Sequence, residues 1–184
     1  MTILKRLWRR FGGESPYAAP AREAYLAVVE QARQPALYAS FGVPDTVDGR
    51  FEMIALHAIL LVRRIKGRGE ASDQFGREFM SYMFADMDRN LREMGTGDMR
   101  VGKKIKEMAE AFYGRARVYQ AAIDGGTPTL EEVLARNAFV EVDPDHGGVQ
   151  GLAENVRRQV ATLETQDLSE ILAGTVRFDP VSGA

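Results

Sequence analysis

The strongest constraint on this chain lies between Ser72 and Ile123, where two long helical patterns meet with almost nothing between them. In the first, Phe75, Phe79, Met80, Met83, Met87, Leu91 and Met94 recur at three- and four-residue steps, the spacing of one helix face. In the second, Val101, Ile105, Met108, Phe112, Ala116, Tyr119 and Ile123 repeat it. Only Gly95-Thr96-Gly97 separates them, so the helices are expected to fold back antiparallel. Ser72 and Asp98 read as N-caps, and Gly95 as the left-handed residue that closes the first helix. Apolar faces this long need further helices to cover them. The expected fold is all-α: a single-domain helical bundle built around a long antiparallel αα-hairpin.

The remaining segments supply the covers. Helices are expected over residues 20–34, 49–66, 130–139, 152–163 and 169–173, with Asp48 capping the second. Thr129 caps the third, with Glu131 and Glu132 in its first turn. The 49–66 segment is apolar on nearly every side (Phe51, Met53, Ile54, Leu56, Ile59, Leu60, Leu61, Val62, Ile65), which places it at the centre of the bundle. No strand pattern and no repeat occurs. The organisation expected is a basic amphipathic helix and linker over 1–19, a helical domain over 20–175 and a disordered tail over 176–184.

Several function classes are excluded or poorly supplied. The chain has no cysteine, so disulfides, thiolate nucleophiles and cysteine metal sites are ruled out. Its most apolar run, Met53 to Val62, is ten residues, against the roughly 20 a bilayer core requires. No signal-peptide core is visible. The location expected is cytoplasmic, peripheral on the inner face of the inner membrane. Charge is unevenly placed: residues 1–123 hold 20 Lys/Arg against 15 Asp/Glu, and residues 124–184 hold 4 against 11. Anionic partners such as lipid or RNA therefore suit the front of the chain, and two solvated surfaces of opposite sign are the plainer alternative.

Gly97-Asp98-Met99-Arg100-Val101-Gly102-Lys103 matches most of a phosphate-binding loop. However, Lys104 stands where Ser or Thr must hold magnesium, and a helix precedes it instead of a strand. What remains is a cationic helix start, Arg100, Lys103 and Lys104, placed for an anionic partner or else for solvent. At the N-terminus, Leu4, Leu7, Trp8 and Phe11 share a face and Lys5, Arg6, Arg9 and Arg10 lie mostly opposite. This is a membrane-contact pattern centred on Leu4, Leu7, Trp8, Phe11, Arg9 and Arg10; docking of Trp8 on the domain is the alternative. Met80, Met83, Met87 and Met94 offer polarizable side chains suited to a groove for varied apolar clients, or else they fill the core.

Neither histidine makes a convincing site. His57 sits in the apolar helix five residues after Glu52, the wrong spacing for a di-iron bundle, and reads as a hydrogen-bonded core residue. His146, in Asp143-Pro144-Asp145-His146-Gly147, lacks the register of a calcium loop. Asp86 and Asp88 point to different helix sides and form no catalytic pair. No metal, no cofactor and no catalytic residue is expected, and no DNA partner. The rival class is a ligand-binding protein or enzyme with a polar pocket near Glu52 and His57. A third is a membrane- or RNA-binding adaptor.

The blocks DGRFEMIALHAILLVRRI (Asp48–Ile65) and FADMDRNLREMGTGDMRVGKKIKEMAEAFYGR (Phe84–Arg115) resemble the ubiquinol–cytochrome c chaperone family. The resemblance spans about residues 35 to 175. It implies a non-catalytic, all-helical assembly factor of the ubiquinol–cytochrome c reductase complex. It also implies cytochrome b or another subunit as client and, in eukaryotic members, a small partner subunit and the mitochondrial ribosome. The chain is short and shows no transit sequence, so the resemblance implies a bacterial-type member, in which the partner is that client and the ribosome or an anionic membrane surface. No agreed set of functional residues comes with it.

Overall fold

A computed structural model describes residues 15–140 and 147–181. The expected N-terminal contacts of Leu4, Leu7, Trp8, Arg9, Arg10 and Phe11 lie outside those residues, as does His146. Among the described residues the only regular structure is helical: α1 Ala18–Ala32, α2 Pro35–Ala39, α3 Val47–Ile65, α4 Glu70–Glu93, α5 Asp98–Ile123, α6 Leu130–Ala138, α7 Gly148–Thr165 and α8 Leu168–Leu172.

Helix α3 is the axis. Its Met53, Ala55, Leu56, His57, Ala58, Ile59, Leu60, Leu61 and Ile65 are buried, and it packs against α1, α4, α5, α6 and α7. A helix apolar on most sides has nowhere to put a solvent face, so the others assemble around it. On one side α1 lies along α4 through aromatic edges. Tyr17 meets Phe75 at 6.4 Å, Tyr25 meets Phe79 at 6.1 Å and Tyr82 at 5.5 Å, and the Tyr25 hydroxyl donates to Asp86 at 2.9 Å.

Two of the expected helix ends form as read. Gly95, at φ 83°, closes α4: its N–H donates to Arg92 O at 2.9 Å and that of Thr96 to Leu91 O at 3.0 Å, a Schellman turn. Thr129 and Glu132 form a reciprocal capping box on α6. Three expected caps do not form. Ser72 lies inside the first turn of α4, which begins after Gly69, and its buried hydroxyl has no partner among the described residues. Asp48 is also within its helix, because Thr46 is the cap and accepts from the Gly49 N–H at 3.1 Å. Asp98 leaves its own helix end uncapped and pairs across the turn with Arg92 at 2.5 Å. Asp48 and Asp98 lost to a nearer or charged partner, Thr46 and Arg92, whereas α4 starts from Gly69 with no side-chain cap at all.

Of the tail expected to be disordered over 176–184, the described part, up to residue 181, is docked. Residues 175–181 run extended across α1, α3 and α7, held by glutamine amides that pair with backbone as a neighbouring strand would. Gln166 Nε2 donates to Arg177 O, and the Arg177 N–H donates back at 2.9 Å. Two residues on, Gln159 exchanges the same pair with Asp179, at 2.8 and 2.7 Å, and Gln31 adds a donor at 3.0 Å. Residues 177 and 179 thus face the glutamines, and Phe178 turns the other way, edge-on to buried His57 at 5.6 Å. Nearby, Arg63 joins α3 to Asp124 at 2.8 Å and Glu164 at 2.7 Å, and Arg64 donates to the terminal carbonyls of α7.

Candidate client-binding groove

Helix α5 is gripped along a narrow line. Val101, Phe112 and Tyr119 are buried, while the intervening Ile105, Met108 and Ala116 are only half-buried. The reason is that α5 runs between two hollows. On one side α4, α5 and the end of α3 enclose an open groove of about 1330 Å³, with Val62, Ile65, Met80, Phe84, Ile105 and Tyr113 as its principal apolar lining. On the other, α3, α5 and α6 enclose a smaller cavity of about 520 Å³.

The groove is apolar within and charged in both signs at its edges, where Lys66, Arg77 and Lys106 alternate with Asp73 and Asp88. Its floor includes the small residues Gly76, Ala85, Gly102 and Ala109. A side chain added at Gly102 would meet nothing within 4 Å, so the space beside it is free. Tyr113 stands 61% exposed at the mouth, its ring edge-on to Phe112. From Ser72 to Asp88 the α4 wall runs roughly 24 Å at 1.5 Å per residue. Small-molecule pockets typically hold about 300–1,000 Å³. This hollow is longer and larger, with the proportions of a helix.

The four methionines read as client contacts are divided by the structure. Met80 lines the groove and Met94 stands 59% exposed at the α4–α5 turn, but Met83 and Met87 are buried in the core. A buried side chain in the resting fold displays nothing to a client, so the row is not one surface. Phe84, Ile105 and Tyr113 belong to the groove and were not singled out. Their signal was a second apolar stripe, Met80 and Phe84, one position round the helix from the core stripe Phe79 and Met83.

Arg100, Lys103 and Lys104 are exposed at the start of α5. Lys103 lies 3.7 Å from Glu107, and Arg100 and Lys104 have no acidic partner among the described residues. Lys104 lines the smaller cavity, so the patch flanks the groove without entering it.

The polar pair weighed as a ligand site does not share a pocket. Glu52 and His57 are roughly 140° apart around α3. Glu52, at the floor of the smaller cavity, has Arg115 Nε 2.5 Å from Oε2, off hydrogen-bond geometry, and accepts from the Tyr119 hydroxyl at 3.1 Å. Burial lifts its carboxyl above the usual range, against the pull of Arg115. His57 is buried on the opposite side, where Nδ1 donates to Met53 O at 2.8 Å and desolvation lowers its pKa to about 4. It is a satisfied core histidine. Asp86 and Asp88 likewise separate, Asp86 to Tyr25 and Arg89, and Asp88 to Arg92.

Residues 39–178 match the ubiquinol-cytochrome C chaperone family, which is most of the chain. The chain belongs to that family. Among its relatives, the ubiquinol-cytochrome-c reductase complex assembly factor 1 of Xenopus laevis is 26% identical over 88% of this chain and 81% of that protein. The assembly factor 1 of Mus musculus is 25% identical over 88% of this chain and 55% of its own length. The crystal structure of the Cbp3 homolog from Brucella abortus superimposes with a TM-score of 0.81 at 33% identity, covering 97% of this chain and 98% of that one. The all-α fold is therefore the family's own, and membership makes the chain a chaperone of complex assembly, not an enzyme. No helix among the described residues is long and apolar enough to cross a membrane.

Proposed function

We propose that this chain serves assembly of the ubiquinol–cytochrome c reductase complex by holding an apolar helical segment of cytochrome b in the α4–α5 groove. The client identity rests on the family resemblance. The observation that carries the mode of action is the groove itself: an uncovered apolar trough about as long as 16 helical residues, walled by Met80, Phe84, Ile105 and Tyr113. An amphipathic or membrane helix laid there shields one face from water until its own subunit packs. Small floor residues let the client backbone approach closely, and Met80 adapts to different client side chains. Arg100, Lys103 and Lys104 hold the complex near an anionic surface, a role for which the unpaired Arg100 and Lys104 are available.

Filling the groove tests this. Gly102→Leu with Ala109→Leu places two branched side chains in the trough, and replacing a helical glycine by leucine favours the helix by about 0.8 kcal/mol. The expected result is a folded chain of equal or higher stability that fails to rescue complex assembly in a deletion strain. Full rescue by a folded double variant overturns the groove as the working surface. Separately, Arg100→Glu with Lys103→Glu is expected to keep the fold and weaken association in vesicle flotation or ribosome sedimentation. Unchanged association removes that patch from the account.

A further inference from the structure

The two ends of the groove differ in charge and in hydrogen bonding. At the hairpin end the charged lining is already paired: Asp88 holds Arg92 at 2.6 Å, and Lys106 lies 3.7 Å from Glu110. At the other end, where α3 passes to α4, the lining cations Lys66 and Arg77 are exposed. Neither has an acidic partner among the described residues.

The start of α4 adds donors to these cations. Its N-cap is Gly69, which has no side chain to offer, so the first N–H groups of a 24-residue helix stay uncapped. A Cβ added at Gly67 or Gly69 would meet nothing within 4 Å, so the approach to those donors is open. In the same turn Ser72 lines the groove, 1% exposed, and its hydroxyl has no hydrogen-bond partner. A buried hydroxyl left in this state is costly, and an acceptor oxygen entering the groove relieves it. Two acids share the turn. Glu70 accepts from Gln74 at 3.2 Å, and Asp73 lines the groove, so two cations face one acid there before the helix N-terminus is counted.

We infer that this end of the groove binds a carboxylate carried at the C-terminal end of the client helix, which therefore lies antiparallel to α4. The inference rests on the proposed groove function and adds the client's direction and the chemistry of its end. The carboxylate meets three kinds of donor: the α4 N–H groups, the Ser72 hydroxyl, and Lys66 with Arg77. Direction follows from the same orphan groups. A helix ends in carbonyls without partners and begins in N–H groups without partners. The client's C-terminal end therefore complements this site, and its N-terminal end would set like against like. The roughly 24 Å of α4 wall then brings the client's other end beside Asp88 and Lys106, where no charge is wanting. A contact of this kind is worth about tenfold in affinity, and less in high salt because Lys66 and Arg77 stand in solvent.

The test uses the full chain and an N-acetylated helical peptide of leucine, alanine and glutamine, about 16 residues long. It is made with either a free C-terminal carboxylate or a C-terminal amide. In calorimetric titration at low salt the carboxylate form is expected to bind about tenfold more tightly. That advantage is expected to fall below about twofold in Lys66→Gln with Arg77→Gln, which alters exposed side chains only. Direction is read separately. The chain has no cysteine, so a cysteine next to the peptide's C-terminus reports its position without background. It is expected to form a disulfide with Asp73→Cys and none with Lys106→Cys. Equal affinity of the two forms overturns the inference and leaves the groove function standing. So does an advantage that survives Lys66→Gln with Arg77→Gln, or a disulfide at Lys106→Cys in place of Asp73→Cys. Binding unaffected by Gly102→Leu with Ala109→Leu, or no binding of either form, counts against the groove function and takes the inference with it.

Discussion

The two flanks of α3 are built on opposite terms. On the flank of α1, α7 and the docked C-terminal segment, each described strap carbonyl and amide at 177 and 179 has a glutamine partner, and Phe178 closes over His57. On the α5 flank two hollows remain, and rings such as Tyr113 stand in solvent. Both flanks draw on ordinary apolar helices. What differs is whether a later segment of the chain returns to cover them. A sealed flank gives stability, because it buries area and satisfies polar groups; an unsealed one leaves free energy available for a partner. On the proposed reading, the chaperone works through the part of the bundle that folding leaves incomplete.

The comparison breaks most readily at Glu52, a buried charge on the open flank. Arg115→Met leaves Glu52, with its side chain 2% exposed, facing the interior without a cation. Loss of one partner of a buried pair costs about 3–5 kcal/mol. Denaturant unfolding is expected to show a loss of this size, largely restored when Glu52→Gln is added. A loss under about 1 kcal/mol means that water reaches the pair and the floor of the smaller cavity is wet.

The sealed flank responds to acid. His57 has a folded pKa of about 4 against 6.5 in the unfolded chain, so its neutral form favours folding at neutral pH. As pH falls below about 6.5 the unfolded chain takes up a proton that the folded chain refuses. Stability therefore declines down to about pH 4, by roughly 3 kcal/mol for this group. Glu52 acts in the opposite sense, because its raised folded pKa favours the folded chain as acid is added. Comparing His57→Gln with the parent isolates the histidine: the variant is expected to lose about one proton's worth of slope between pH 6.5 and 4. Identical slopes place His57 in contact with water.

Smaller effects sharpen the contrast. Gln159→Leu removes both bonds to Asp179 and is expected to cost about 1–2 kcal/mol and to expose the C-terminal segment to carboxypeptidase. Tyr113→Ser, at the groove mouth, is expected to change stability by less than about 0.5 kcal/mol, because the ring is 61% exposed. Should Tyr113→Ser destabilise as much as Gln159→Leu, the groove is part of the core and not a surface held in reserve.

What could be read from the sequence follows the range of the interaction. The Schellman turn at Gly95 and the capping box at Thr129 are legible because every partner lies within five residues. The central position of α3 is legible because its composition leaves no solvent face. The caps at Asp48 and Asp98 were misplaced by competition, with Thr46 nearer than Asp48 and Arg92 recruiting Asp98, and the one at Ser72 because the helix already starts after Gly69. The docked strap was illegible: its partners, Gln31, Gln159 and Gln166, are up to 148 residues away, and an amide side chain carries no periodicity. The groove fell between these cases. Its residues are visibly apolar, but whether an apolar side chain is covered depends on which helix comes to lie beside it. That is why Met83 and Met87 sank into the core while Met80, one helix step away, stayed at the surface.

Site-specific photocrosslinking during synthesis of cytochrome b tests the central claim most directly. Photoreactive residues at Met80 and Tyr113 report on the groove, and one at Leu26, 41% exposed on α1, reports on the sealed flank. The account predicts cytochrome b adducts from Met80 and Tyr113, abolished by Gly102→Leu with Ala109→Leu, and none from Leu26. Adducts from Leu26 with none from the groove positions would contradict it.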